Sequence, residues 1–299
     1  MTHPLPRQAV LVVNAQSRRG RALFGAARDK LAAAGITLSA AHAVRDPKRL
    51  GPTIRKALAD KPPMLIVGGG DGSLSMSVDD FVGTATVFAL LPLGTANSFA
   101  RTLGIPLDLD GAVAVIAGGE RRRIDLGMID GDYFANCAAI GLAPMIAETV
   151  PNGLKRWLGR AGYLAWAGWK FLGFRPFGIT IGEGEAAQTL DAVEVRIANG
   201  GYHGGTELVE SAEPDSGEIV IQVVVGNASR RLLASWAASV LRLQARKRTV
   251  REFRGPAFRI ATDPPLPISI DGEVLARTPV TARVARAIIE VAAPASSQA

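Results

Sequence analysis

Along the first 120 residues the apolar positions fall into two kinds of run. Residues 8–14 (QAVLVVN), 64–67 (MLIV) and 87–91 (VFALL) are short, unbroken and without alternation. Such runs suit inner strands of a parallel sheet, covered on both faces. Between them lie amphipathic stretches with start and stop signals. A helix is predicted from about 22 to 34, stopped by Gly35, then a strand over 36–44. Asp46 caps a further helix with Pro47 at its first position, running to about 60. Helices are also predicted over 73–82, over 98–103 (closed by Gly104 and Pro106) and over 109–117 (ended by Gly118 and Gly119). Strands and helices alternating through short turns predict a doubly wound parallel α/β domain.

From Arg121 the pattern changes. Residues 123–129, 133–139, 177–181, 190–198, 218–225, 258–261 and 266–270 are short β-rich runs punctuated by Gly, Pro and Asp. They predict an antiparallel β-sandwich. The expected fold class is therefore α/β plus all-β, with a boundary near Ile124. The domains are 1–123 and 124–279, and a C-terminal segment of about 280–299 is able to return to the first. Two helical stretches interrupt the second domain. Residues 154–174 carry three of the four tryptophans with Lys155, Arg156, Arg160 and Lys170 interleaved, and 230–251 end in a basic tail.

Composition narrows the picture. A chain of 299 residues, 48% hydrophobic, can bury two cores. The single Cys137 excludes an internal disulfide and fits a reducing cytosol. The first residues hold no long apolar segment of a signal peptide, and no stretch reaches the ~18 apolar residues of a spanning helix. A net charge of +7 favours an anionic partner: nucleotide, nucleic acid or an acidic lipid surface. Nucleic acid ranks last, because no nucleic-acid-binding motif accompanies the charge. Aromatic residues interleaved with Lys and Arg in 154–174 suit an interfacial helix on an anionic membrane, or a helix covering the sandwich.

The chemistry concentrates where two strands end. Gly68-Gly69-Gly70-Asp71-Gly72-Ser73 follows the run at 64–67, and Gly94-Thr95-Ala96-Asn97-Ser98 follows the run at 87–91. Glycines at the carboxyl end of parallel strands leave the backbone bare, so N–H groups can approach an anion. Two such turns side by side predict a phosphate cradle. Neither is a Walker A loop or a GxGxxG fingerprint. A carboxylate among glycines, Asp71, points to a metal, a hydroxyl or an N–H network around polyphosphate. His3, His42, His203 and Cys137 lack metal-ligand spacing, so zinc is not expected.

Gly69 to Ser73 followed by Leu93-Gly94-Thr95-Ala96-Asn97-Ser98-Phe99-Ala100-Arg101 resembles the diacylglycerol kinase catalytic-domain family of soluble lipid kinases, which includes sphingosine and ceramide kinases. The first element is shared with NAD kinases and phosphofructokinases; the second points to lipid kinases. Asn14, Asn136 to Gly141, Gly201 to Gly205 and Ile270 to Glu273 match later landmarks, so the resemblance spans nearly the whole chain. It implies ATP and Mg²⁺, with the nucleotide on Asn14, Gly69, Gly70, Asp71, Gly72, Ser73, Gly94, Thr95 and Asn97. It implies catalytic roles for Asp71 and for Asp271 or Glu273, one of which is the base, and a lipid acceptor such as diacylglycerol, ceramide or a sphingoid base. From the residues alone, Asp271-Gly272 reads first as an ordinary hairpin turn.

The chain departs from the family pattern in three places. The first turn is Asn14-Ala15-Gln16-Ser17-Arg18, without its proline and glycine. No threonine matches near 43–45. Asp215-Ser216-Gly217 stands where Asp-Asp-Gly is common, leaving Asp215 as the remaining ligand for a structural Mg²⁺, with Glu213 and Glu218 nearby. The expectation is a cytoplasmic, peripherally membrane-associated lipid kinase whose antiparallel edges offer a route to homodimers. Its rivals are a NAD kinase-like enzyme with a soluble substrate and a non-catalytic nucleotide-binding regulator.

Overall fold

The computed structural model describes residues 4–16, 18–142, 144–145, 169, 171, 173–226 and 250–295. Most of 154–174 and of 230–251 lies outside them, so the proposed interfacial helix and the basic tail are not placed.

The apolar runs are buried strands: β1 (Gln8–Asn14), β3 (Met64–Gly69) and β4 (Val87–Pro92), the last two without an exposed residue. With β2 (Thr37–Val44) they pair in parallel in the order β2-β1-β3-β4. Helices α1 (Arg18–Ala33), α2 (Leu50–Ala59), α3 (Asp71–Phe81), α4 (Ser98–Thr102) and α5 (Leu109–Gly118) join them. Two caps read from sequence form: the Asp46 carboxylate accepts from Lys48 N at 3.0 Å, opening a 3-10 turn ahead of α2. Gly35, in a left-handed conformation (φ 79°), ends α1.

The second half is antiparallel. It contains β5 (Glu120–Ile129), β6 (Asp132–Phe134), β7 (Cys137–Gly141), β8 (Phe177–Ile181), β9 (Gln188–Ala198), the short pair β10 (Tyr202–His203) and β11 (Thr206–Glu207), and β12 (Ile219–Val225). Then come β13 (Val250–Gly255), β14 (Ala257–Asp263), β15 (Pro267–Ile270), β16 (Glu273–Arg277) and β17 (Val280–Ala293). β17 ties the halves together. It lies antiparallel to β5 and β14 and meets β4 in parallel through Val291 and Phe88. All strands but β10 and β11 thereby form one 15-stranded sheet.

Two cores result. The first gathers β1, β3, β4 and their helices; the second gathers β7, β8, β9, β12 and β15. The β5–β17 pair runs through both. Ile124, Leu126, Ile289 and Val291 sit in the first core, whereas Ile129, Val280 and Ala282 sit in the second.

Two sequence expectations need correction. Residues 133–139 are not one strand. Asn136 breaks the ladder because its carbonyl accepts from Asn199 N (2.8 Å) and Gly200 N (2.9 Å), while its side chain accepts from Thr102 Oγ1 (2.9 Å). The last two residues of the basic stretch 230–251 are strand and not helix: Val250 and Arg251 begin β13, which pairs antiparallel with β12.

Candidate functional site

β3 and β4 end side by side, so their turns must meet. A Cβ on Gly94 would stand 2.5 Å from Gly70 Cα, and one on Gly69 would stand 2.5 Å from Ser73 Cβ. Only hydrogen fits between these backbones. α3 starts directly from the first turn with Gly70 as its N-cap residue; Ser73 N and Leu74 N donate to the Gly70 carbonyl, which leaves the Asp71 and Gly72 N–H groups without a partner within the helix. The partial positive charge of that helix end and the bare turn make an anion seat.

Several residues expected to touch the nucleotide also build the seat. Asn14 Nδ2 donates to Ser73 Oγ at 2.9 Å, joining the end of β1 to α3. Asn97 is buried; its Oδ1 accepts from Gly94 N (2.9 Å), and its Nδ2 donates to Gly94 O (3.1 Å). It holds a left-handed backbone (φ 49°) at the N-cap of α4. Arg101 Nε donates to Ala96 O at 2.9 Å. The Asp71 carboxylate accepts from Ser98 N at 2.5 Å, so it couples the starts of α3 and α4. Thr95 is exposed in the second turn.

The second half closes over this seat. Ser98 Oγ accepts from Gly205 N at 3.0 Å, and a Cβ on Gly205 would lie 3.1 Å from Ala96. The turn at 201–205 thus rests on the second glycine turn.

From the same side comes the β15–β16 hairpin. Ile270 pairs with Glu273, which leaves Asp271 and Gly272 as a two-residue turn, both at positive φ (42° and 100°). That is the hairpin geometry expected of an Asp-Gly pair. The turn is also more than a corner. The Asp271 carboxylate points inward and accepts from Ala135 N (3.0 Å) and Cys137 N (3.1 Å), and the Ser75 hydroxyl on α3 hydrogen-bonds it too. Burial pushes its pKa up, against the two N–H bonds and the nearby His203 imidazole. Glu273 is exposed on the same hairpin. Burial pushes the neighbouring Cys137 thiol up to about 12, which leaves it protonated and inert at neutral pH.

Between α3 and the hairpin lies a cavity of about 210 Å³, lined by Gly72, Ser75, Met76, Asp79, Asp271 and Glu273, with β6 on its third side. Sequence reading missed Ser75 and Asp79, and set His203 aside as a lone histidine. A signal for the first two exists: 72, 75, 76 and 79 follow an i, i+3, i+4, i+7 rhythm, yet only one of the four is apolar. A helix face of that kind is turned toward something other than a core.

Asp215 sits apart. Its carboxylate is engaged by Arg122, at 2.6 Å from Nη2 and 2.8 Å from Nε. The nearby Asp125 carboxylate accepts from Gly217 N (2.6 Å) and Ala287 N (2.7 Å), and the Arg286 guanidinium lies against Gly217. A cation at Asp215 would compete with Arg122. Among the described residues no three His, Cys, Asp or Glu side chains gather as a cation site, and no helix is long and apolar enough to cross a membrane.

Comparison with known proteins gives the family and the fold. Residues 8–129 match the diacylglycerol kinase catalytic domain, and residues 137–293 match the YegS C-terminal NAD kinase beta sandwich-like domain. A protein of Pseudomonas syringae pv. tomato named "Probable lipid kinase YegS-like" is 30% identical over 259 residues, covering 82% of this chain and 80% of its own. One of the same name from Chromohalobacter salexigens is 28% identical over 214 residues, covering 70% and 69%. The solved structure of a diacylglycerol kinase from Bacillus anthracis str. Sterne shares the fold, with a TM-score of 0.74 at 20% identity over 96% of this chain and 97% of that one. The chain belongs to the YegS-like lipid kinase family, in which a diacylglycerol kinase catalytic domain is joined to a β-sandwich, and is a kinase that phosphorylates an alcohol.

Proposed function

We propose that this protein transfers the γ-phosphoryl group of ATP to the hydroxyl of a membrane lipid at the surface of an anionic bilayer, with residues 1–123 holding the nucleotide and 124–279 the lipid. The observation that carries this reading is Asp271, an inward-pointing carboxylate held between the glycine turns and an open cavity. Phosphoryl transfer asks little covalent chemistry of a protein and much positioning. The bare turns at Gly69–Gly70 and Gly94, with the Asp71 and Gly72 N–H groups of α3, fit the triphosphate. ATP supplies the transferable group, and a Mg²⁺ carried with it would be held mainly by the phosphates and would neutralise part of their charge. Asp271 takes the proton of the acceptor hydroxyl as its oxygen bonds to the γ-phosphorus and the bond from that phosphorus to the β–γ bridging oxygen breaks, releasing ADP. Its two backbone donors fix the carboxylate without neutralising it, and its raised pKa makes it a better base than a free carboxylate. Glu273, on the exposed side of the turn, fits an auxiliary role toward the headgroup.

The direct test is labelling from γ-labelled ATP in mixed micelles containing diacylglycerol, ceramide or a sphingoid base, with NAD as a soluble competitor. One lipid should be labelled. Label on NAD alone, or on nothing, would overturn the reading.

The cradle makes a separate prediction. Gly94→Ala places a methyl against Gly70 Cα, which is backbone, and Asn97 Oδ1, which is held by the hydrogen bonds of a buried amide to Gly94. Overpacking of this kind costs about 1–3 kcal/mol. The KM for ATP should rise at least tenfold, while the KM for lipid stays within a few-fold. Calorimetric titration with a non-hydrolysable ATP analogue checks it; unchanged affinity would separate the turn from the phosphates.

A further inference from the structure

The loop that leads into β12, residues 213–218, meets the β5–β17 pair where that pair passes from one core to the other. The register of β17 shifts there, between Ala285 and Ile289, and Ala287 adopts a left-handed backbone (φ 47°). Asp125 lies across from this irregularity on β5 and joins it to the loop. Its buried carboxylate accepts from Ala287 N at 2.7 Å and from Gly217 N at 2.6 Å, and its own N–H donates to Pro214 O at 2.6 Å. One residue thus holds the bend of β17 and the loop against β5, at the junction of the two halves.

The family resemblance implies a structural Mg²⁺ at this loop, and the residues present do not fit one. Mg²⁺ asks for a near-octahedral set of free oxygens, and carboxylates are its usual protein ligands. Here the oxygens are engaged. Arg122 holds Asp215 Oδ2 through both Nη2 and Nε. Both Asp125 oxygens take backbone donors. Position 216, where a second carboxylate is common, is a serine. The Ser216 hydroxyl donates to Glu213 O at 2.9 Å and accepts from Glu218 N at 3.3 Å, and Ser216 N also donates to Glu213 O at 3.2 Å. The loop therefore satisfies its own polar groups. The Arg286 guanidinium lies against Gly217, so two fixed positive charges already face the place a cation would take. Like charges at that range repel.

A bound cation stabilises a loop by drawing distant oxygens to one point. Ser216 does this for the two ends of the loop through hydrogen bonds. Arg122 brings a positive charge from β5, the strand to which the loop is tied, and a guanidinium neither dissociates nor titrates. We propose that Ser216 and Arg122 together take the place of the structural cation, so that the junction of the two halves keeps its geometry without a divalent ion. Mg²⁺ arriving with the nucleotide serves the phosphates and leaves this loop alone. The exchange hinges on position 216: a carboxylate there, beside Asp215 and the Glu213 and Glu218 carbonyls, creates a cation site.

The test uses full-length protein without nucleotide or lipid, so its result is independent of the lipid kinase reading. Thermal melting is followed in EDTA and in millimolar MgCl₂. The response to MgCl₂ should be the same in the unaltered protein and in Asp215→Asn. Ser216→Asp, at an exposed position, should melt below the unaltered protein in EDTA. MgCl₂ should then raise its melting temperature by about 2 °C or more, because the ion binds only the folded loop. Ser216→Asn, of the same size without the charge, should show no such gain. In Ser216→Asp/Arg122→Met, calorimetric titration should find Mg²⁺ bound roughly tenfold more tightly than in Ser216→Asp, one positive charge having left the site. If the double variant fails to fold, the comparison of Ser216→Asp with Ser216→Asn decides. Stabilisation of the unaltered protein by MgCl₂ that Asp215→Asn removes would overturn the proposal. So would a folded Ser216→Asp that gains nothing from MgCl₂ beyond Ser216→Asn.

Discussion

Asp271→Asn should lower kcat by roughly 10²–10⁴-fold, the usual contribution of a general base, and leave the KM for ATP within a few-fold. The substitution is nearly isosteric, so it separates chemistry from architecture. Asparagine retains one acceptor oxygen for either Ala135 N or Cys137 N and turns an NH₂ toward the other. One N–H left facing a donor costs about 1–3 kcal/mol, a loss that thermal melting will register without abolishing the fold. The left-handed backbone at this position is tolerated by Asn as well as Asp. The pH profile carries a second signature. A base must be deprotonated to act, and the folded pKa of Asp271 is raised. The acid limb of kcat/KM should therefore lie above the ordinary carboxylate range, with activity lost as pH falls through it. The linkage to stability has the opposite sense: a carboxyl whose folded pKa is raised favours the folded state at acid pH, and that contribution is lost as pH rises through the folded pKa. Glu273→Gln should cost far less. If it costs more than Asp271→Asn, the two carboxylates exchange roles.

How much of this was legible before any coordinates depends on whether the signal was local. The parallel strands were, because unbroken apolar runs such as Met64–Gly69 have few other fates. So were the glycine turns and the Asp46 cap, whose chemistry lies within a few residues. Asp271 was visible but ambiguous, since Asp-Gly is a hairpin turn by itself. What makes it a site is the pair of donors at Ala135 and Cys137, more than 130 positions away in the chain. The break at Asn136 has the same origin, in contacts with Thr102 and Asn199. The cavity was hidden for a further reason. Asp79 and Asp132 look like ordinary surface charge until α3 and β6 face each other. Long-range pairing also decides β17, whose 14 residues divide between two cores in a way that no local period encodes.

Asp71→Ala should reduce kcat/KM by at least 10²-fold, and the cause is as much architectural as electrostatic. Asp71 opens α3, where a negative side chain meets the positive end of the helix. Its carboxylate also accepts from Ser98 N at 2.5 Å, a charge-assisted bond of the stronger kind. Ser98 in turn receives Gly205 N on its hydroxyl, so one chain of hydrogen bonds links the first glycine turn, the second turn and the second domain. Alanine leaves the buried Ser98 N–H without that partner, at about 1–3 kcal/mol. The two turns then lose their fixed spacing, and a displacement near 1 Å can cost a hundredfold in rate. Asp71→Asn distinguishes the contributions. It keeps an acceptor for Ser98 N but removes the charge. Recovery of most activity in Asp71→Asn would make the hydrogen bond the essential element. Equal loss in both variants, with Asp71→Asn melting like the unaltered protein, would show that the charge itself acts on the phosphates or their cation. Near-normal turnover in Asp71→Ala would mean that the turn is held without it, and that the coupling of α3 to α4 plays no part in the reaction.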